Sequence, residues 1–441
     1  MRQIGKSLLA ILLVVLIAVL GMFIYANYTE RIRNEKELQE TESIPVISPV
    51  ISSDNENEEP GNAADVSLLF CGDLVCHTGL NSEALKDDSS YDYANILGGA
   101  VDLIKEADYA ACTLETTFPE TAEYTGYPLF KSPPDLAESL KRSGFDLINT
   151  ASNHLMDGEK AGIMRTLDIL DDNGLEHVGT YRSREERDES NGIILKEING
   201  ISFAIMSYTY GTNGIPMNGF EYCANIMFTD YLTTLVNIDY DRLTADMEAA
   251  EALEADMTIV MLHWGNEYQL EPNYQQEELA DFFFSNGADI IIGGHTHCPE
   301  PMELRKVKDE DGKERSCFIV YSLGNLISCQ DDRYTNLTAA LQIDIQKDLD
   351  TSETYLRQVS YTPLFMADLL DSGEMTDWRY KLLDLNGAIS SYESGNNLGF
   401  INKELHKDMK DGLKDLHGVF GEEFSKINGG VDVSEWNILN D

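Results

Sequence analysis

The chain has 441 residues and is strongly acidic, with 77 Asp and Glu against 32 Lys and Arg and a formal net charge of -45. That balance argues against a nucleic-acid partner and against adhesion of the folded part to anionic lipid, and an anionic substrate would need a local cation such as a bound metal. Seven scattered cysteines with no Cys-x-x-Cys pair argue against a disulfide scaffold and a structural zinc site.

Residues 7–26 read SLLAILLVVLIAVLGMFIYA and carry no charge. At about 1.5 Å rise per residue such a helix crosses roughly 30 Å, the apolar thickness of a bilayer. The run exceeds the ~7–15 apolar residues of a signal peptide, and Ile24-Tyr25-Ala26 lacks the small residue a cleavage site prefers. Segment 1–28 is therefore predicted to be an uncleaved, single-pass anchor. Basic residues on both sides (Arg2 and Lys6; Arg31, Arg33 and Lys36) leave the charge rule undecided. The very short N-terminus places the rest outside the cell membrane. Residues 29–65, rich in Glu, Pro, Ser and Asn, form a spacer too polar and self-repelling to fold.

From residue 66 strands and helices alternate. VSLLFCGD (66–73) is a strand ending at Asp73, and 94–106 has helical spacing. YAACTLE (109–115) is a strand ending at Glu115. Pro133-Pro134 opens a helix to 143, and FDLINTASNH (145–154) is a strand running into Asn153-His154. A helix over 159–173 stops at Asn173-Gly174, and a short strand lies at 177–179. Asn199-Gly200 joins 193–197 and 201–208 in a hairpin. A long helix is expected over 232–255, then the strand MTIVMLHWG (257–265) and a helix over 275–286. The apolar run 288–292 enters Gly293-Gly294-His295-Thr296-His297. Its glycines permit close backbone approach, and the turn there decides what each imidazole reaches. CFIVYSLGN (317–325) is a strand ending at Asn325, and 337–345 with 355–363 reads as an amphipathic hairpin at a sheet edge. Beyond about 375 the pattern weakens.

This alternation implies an α/β fold with ligand sites at the carboxyl ends of strands. Asp73, Glu115, Asn153-His154, His263, His295, His297 and Asn325 all end or follow strand-like runs. Core histidines alone would not produce that coincidence. Imidazole, carboxylate and amide oxygen together suit one or two divalent ions of Mn, Zn or Fe. Such ions polarise a phosphoryl or acyl oxygen and activate water, while an unligated imidazole protonates the leaving group.

The order Gly-Asp, Leu-Glu, Asn-His, His-Trp-Gly, Gly-x-His-x-His, Tyr-Ser-Leu-Gly-Asn over 66–327 resembles the capsule-synthesis CapA (poly-γ-glutamate biosynthesis) family, within the calcineurin-like metallophosphoesterase superfamily. The resemblance implies a four-layer α/β/β/α sandwich over 66–365, with 366–441 an extension of unassigned structure. It also implies that Asp73, Glu115, Asn153, His263, His295 and His297 bind metal. His154 would act on the leaving group with Asp157 orienting it, and Trp264, Glu267 and Asn325 would stand behind the ligands or face substrate. The sequence departs from the family at Val75, where the superfamily has histidine, and at Thr113, where relatives carry Asn. Whether His77, two positions past Val75, reaches the site is left to the fold, and Cys298, although it follows His297 directly, is not expected to be a ligand. The function implied is a membrane-anchored extracellular hydrolase of capsule or poly-γ-glutamate synthesis, working with capsule-synthesis proteins. The alternative is a non-catalytic accessory that holds an anionic surface polymer.

Overall fold

Apolar runs that are buried on both faces must lie between other layers, and the computed structural model shows how this chain arranges them. It describes residues 62–434 apart from 122, 309–311, 313 and 373–377. The anchor and nearly all of the spacer lie outside the described residues, and among those described no helix is long and apolar enough to cross a membrane.

The chain first lays down β1 (Ala63–Leu74), β2 (Tyr109–Leu114), β3 (Leu147–Asn149) and β4 (Glu176–Val178), all parallel. It then crosses to a second sheet of β5 (Ile193–Ile198), β6 (Ile201–Thr209), β7 (Met257–His263), β8 (Ile290–Gly294), β9 (Pro299–Lys308) and β10 (Glu314–Leu323), in the order β5-β6-β7-β8-β10-β9. It returns to the first sheet with β11 (Asn325–Ile327), β12 (Leu337–Asp348), β13 (Thr354–Asp368), β14 (Tyr380–Asp384) and β15 (Val431–Asp432), giving the order β14-β13-β12-β1-β2-β3-β4 with β11 on β1 and β15 on β13.

Alternate residues of β1 divide between two cores, as the two-residue period of a strand requires. Val66, Leu68 and Phe70 meet Phe203, Ile205, Ile259 and Phe318 of the second sheet. Leu69 and Cys71 face the opposite way, toward Leu136 and Leu140 of helix α4 (Asp135–Ser143). Three shorter helices, α1 (Thr78–Ala84), α2 (Ala94–Leu97) and α3 (Val101–Glu106), share that outer face. The chain continues through α5 (Glu159–Asp172) and α6 (Arg184–Ser190) to α7 (Tyr240–Glu251) and α8 (Tyr274–Ser285), which cover the outer face of the second sheet through Leu243, Met247, Leu279 and Phe283. The last helices are α9 (Leu385–Glu393) and α10 (Lys403–Phe420), and Met409, Leu416 and Phe420 of α10 complete the core between the sheets. Residues 383–433, weak in periodicity, thus contribute to the same core.

Several expectations change. The helix expected over 94–106 is two pieces, because a side chain at Gly99 would lie 2.3 Å from the Leu382 carbonyl and the backbone packs on β14 there instead. The helix expected from 232 starts only at Tyr240. Asp230 accepts the Val236 and Asn237 N–H groups at 3.1 and 3.0 Å, and Asp239 caps Arg242. The local acceptors win over helix formation, as Asp side chains do. The β12–β13 hairpin is interior, between β1 and β14, and β9 has no counterpart in the sequence reading.

Helix α8, which leads into β8, begins in a capping box formed by Asn273 and Gln276. Replacing Asn273 by Ala removes an acceptor for two N–H groups and is expected to destabilise the fold by about 1 kcal/mol, read as a lower urea midpoint with unchanged slope.

Candidate metal centre

The carboxyl ends of β1, β2, β7 and β8 converge where the two sheets meet. Asp73, Glu115, His263 and His295 are all buried there. His263 stands between the carboxylates, with Nδ1 4.0 Å from Asp73 Oδ1 and Nε2 3.7 Å from Glu115 Oε1. These separations are too long for hydrogen bonds. The separation at Nδ1, the nitrogen left open, is a little above the roughly 3.4 Å expected between two ligands of one tetrahedral ion with bonds of about 2.1 Å, whereas Nε2 carries a proton to Asn153.

The unmet polar atoms point the same way. Both oxygens of Glu115, Asp73 Oδ1, and the Nδ1 atoms of His263 and His295 are buried without a hydrogen-bond partner. Buried polar groups are nearly always paired, and each exception needs a reason. Glu115, His263 and His295 each offer one ligand atom, and those atoms lie within 4.8 Å of one another. A cation between them would satisfy all three. The donors are imidazole and carboxylate, which fit a borderline or hard divalent ion.

The backbone holds this arrangement under strain. His295 and His297 have φ of +93° and +61°, in the left-handed region that residues with a side chain avoid. Gly293 and Gly294 serve close approach. A Cβ on Gly294 would lie 2.5 Å from Asp73 Oδ1, and one on Gly293 1.9 Å from the Tyr321 carbonyl. The turn directs the His295 N–H to Asp73 Oδ2 at 2.6 Å, so β8 and β1 are joined at the site.

Each remaining residue has a definite place. Asn325 gives its amide N–H groups to the carbonyls of His297 and Thr335 and to Gln330. Its Oδ1 therefore faces His297 Nδ1 at 3.0 Å and accepts from it. That network assigns the proton to Nδ1 and leaves Nε2 with a free lone pair, 3.9 Å from Glu267 Oε1. Glu267 is half-exposed at the rim. Asn153 Oδ1 accepts from His263 Nε2 at 2.9 Å. His154 Nδ1 donates to Asp157 Oδ2 at 2.6 Å, and the Phe130 N–H donates to the same oxygen at 2.5 Å. His154 Nε2 lies 3.9 Å from Glu115 Oε1.

His77 Nδ1 is occupied locally, 3.0 Å from the Val75 carbonyl and 3.3 Å from the Cys329 nitrogen. Its ring packs against Phe130, which in turn packs on His154. Trp264 is buried and gives its indole N–H to the Tyr321 carbonyl at 2.9 Å, tying β7 to β10. It also borders a cavity of about 440 Å³ whose walls include Tyr210, Glu267 and His295. Cys298 turns its thiol toward the Arg333 carbonyl, and Thr113, in register with Asp73, accepts from Asn149.

Tyr210 and Asn213 were not among the residues singled out by the sequence. The Tyr210 ring lies 4.6 Å from that of His295, and Asn213 reaches both Asn153 and His154. The signal was available: Tyr-Gly-Thr-Asn-Gly directly follows β6, one more strand end in the central part of the sheet.

Burial sets the proton balance. It raises the carboxyls of Asp73 and Glu115, and it lowers His263 to about 4 and His295 well below the ordinary imidazole value. At His154 burial also pulls down, but the hydrogen bond to Asp157 and the charges of Glu115 and Asp157 outweigh it and hold the ring above the ordinary imidazole value.

Residues 67–330, more than half of the chain, match the family of bacterial capsule synthesis proteins PGA_cap. The PGA biosynthesis protein CapA of Bacillus subtilis (strain 168) is 26% identical over 287 residues, 64% of this chain and 68% of that protein. The capsule biosynthesis protein CapA of Bacillus anthracis is 26% identical over 215 residues, 48% of this chain and 47% of that protein. Among solved structures, a novel phosphatase of Mycoplasma pneumoniae aligns at 13% identity and a TM-score of 0.40, covering 68% of this chain and 93% of that one.

Two outcomes follow from the geometry and the proton balance. Burial keeps the His263 and His295 imidazoles neutral, while the raised carboxyls of Asp73 and Glu115 give up protons when a cation enters, so divalent-metal affinity is expected to climb from pH 5 to pH 8 with proton release. Calorimetry in two buffers of different ionisation enthalpy reads both quantities. Asn325→Leu frees the His297 ring and is expected to weaken metal binding about 10–100-fold if that imidazole is a ligand, as measured by competition with a chromogenic chelator.

Proposed function

The chain belongs to the PGA_cap family of bacterial capsule synthesis proteins, and from that premise we propose that it is a metal-dependent hydrolase acting on a cell-surface polymer. The observation that carries the reading is Glu115, buried with both carboxylate oxygens unpartnered and placed beside His263 and His295. An uncompensated buried carboxylate costs several kcal/mol, and a divalent cation removes that cost. We assign the two facing sheets and their outer helices to the metallophosphoesterase-like α/β/β/α arrangement.

In this reading Asp73, Glu115, His263 and His295 hold one ion. His297, through Nε2, and Asn153, through the second lone pair of Oδ1, are available to another. The ion, Mn, Zn or Fe, would polarise the scissile phosphoryl or acyl group and lower the pKa of water beside it. The protein's own part is orientation and proton supply. Asp157, held by the Phe130 N–H, fixes the His154 ring through Nδ1 and leaves Nε2 to serve the leaving group. Asn325 holds the His297 tautomer. The 7–26 run would anchor the chain in the cell membrane with the 29–65 spacer holding the hydrolase outside. Poly-γ-glutamate or another anionic surface polymer would be the substrate and capsule-synthesis proteins the partners.

Val75 in place of the superfamily histidine favours a second reading, an accessory that binds polymer without turnover. Elemental analysis of the full chain and of a His295→Ala/His297→Ala variant separates the two. The hydrolase reading expects one or two divalent ions in the wild type and their loss in the variant. It also expects turnover of model phosphoesters or poly-γ-glutamate that chelator abolishes. A wild type that binds no divalent metal overturns it, and polymer retention that survives both chelator and the double substitution supports the accessory role.

A further inference from the structure

The loop after β6 lays Asn213 directly on His154, and the surrounding hydrogen bonds decide which way its amide faces. Asn153 Nδ2 donates to Asn213 Oδ1 at 3.1 Å, and the Tyr210 hydroxyl donates to the same oxygen at 3.1 Å. With two donors on its oxygen, Asn213 turns its NH2 group toward His154, and Nδ2 lies 3.2 Å from His154 Nε2. His154 Nδ1 is already committed to Asp157. Nε2, the nitrogen on the Glu115 side of the ring, is therefore the one Asn213 covers. Asn213 is exposed and has a φ of +50°, a conformation that Asn tolerates through its short polar side chain. Its side chain is thus at the mouth of the site, where a substrate would meet it.

We infer that Asn213 is the leaving-group contact of this site. On the neutral ring its N–H occupies the place at His154 Nε2 where a leaving oxygen must lie; once Nε2 carries the proton it transfers, two donors cannot face each other, and the Asn213 N–H turns to the leaving oxygen. The inference rests on the hydrolase reading and adds a substrate class: esters of ordinary alcohols, whose alkoxides cannot depart without a proton, rather than aryl esters. For a phosphomonoester, the water oxygen forms the new P–O bond as the bond from phosphorus to the alcohol oxygen breaks. The electron pair of that bond stays on the alcohol oxygen, which takes the proton of His154 Nε2. The attacking water releases one proton to solvent and His154 regains one, so the products are alcohol and hydrogen phosphate.

The test compares the full-length wild type with Asn213→Gly, which keeps the left-handed backbone, and Asn213→Asp, which keeps the shape and removes the N–H donors. Each is assayed with manganese on glycerol 1-phosphate and on p-nitrophenyl phosphate, whose leaving group departs readily unprotonated. Both variants are expected to retain wild-type metal content and to lose at least tenfold more kcat on the alkyl ester than on the aryl ester. Equal losses on the two esters, the mark of a structural role, overturn the inference. If the wild type turns over neither ester, the phosphoesterase form of the reading fails. Calorimetric affinity for glycerol 1-phosphate then decides: a Kd at least fivefold weaker in Asn213→Gly sustains the contact, and an unchanged Kd overturns it.

Discussion

Everything at the site turns on two carboxylates placed where water does not reach. Asp73 and Glu115 are buried at the ends of neighbouring parallel strands, and the buried groups nearest to them include imidazoles that burial keeps neutral. Two like charges in low dielectric cannot both be ionised cheaply. A divalent cation resolves that conflict, and the surrounding geometry is arranged as if for one. The chain as a whole carries a formal charge of -45, so a local cation is also the simplest way to draw an anionic substrate against the protein's own field.

The sheets supply the rigidity this requires. Strands β7 and β8 are buried throughout, and β1 and β10 are buried over the stretches that lead to the site, so their ends cannot shift without disturbing a close-packed core. Against that frame the strained turn at His295 and His297 is held by contacts from several directions. Its backbone N–H meets Asp73, the His297 ring meets Asn325, and glycines at 293 and 294 allow the approach that side chains would block. Unfavourable backbone angles persist when the surroundings over-determine them.

A further set of hydrogen bonds connects the buried carboxylate and imidazole cluster to the His154–Asp157 pair. His263 donates to Asn153, Asn153 to Asn213, Asn213 to His154, and His154 to Asp157. With the His154 ring neutral the donors and acceptors along this set match, so the side chains orient one another. Phe130 adds support from the opposite side, through its N–H on Asp157 and its ring against His154. Substitutions in such a network are expected to be non-additive, because removing one member releases the orientation of the next.

What the sequence determined by itself was the set of long apolar strands and the polar residues at their ends. Asp73, Glu115, His263 and His295 were legible because buried parallel strands read as continuous apolar runs, and a charged or ligand-type residue closing such a run stands out. Asn213 and Tyr210 escaped the same rule because β6 reads as one arm of an Asn199-Gly200 hairpin, which hides that its other neighbour is the central strand β7. The shortened helix before Tyr240 and the broken one at Gly98-Gly99 were decided by side-chain acceptors and by packing on β14, neither of which periodicity records. Histidine tautomers, the role of Phe130, and the place of His77 behind that ring came only from the tertiary structure. They depend on groups far apart in the chain meeting within hydrogen-bond distance, and no local pattern carries that information.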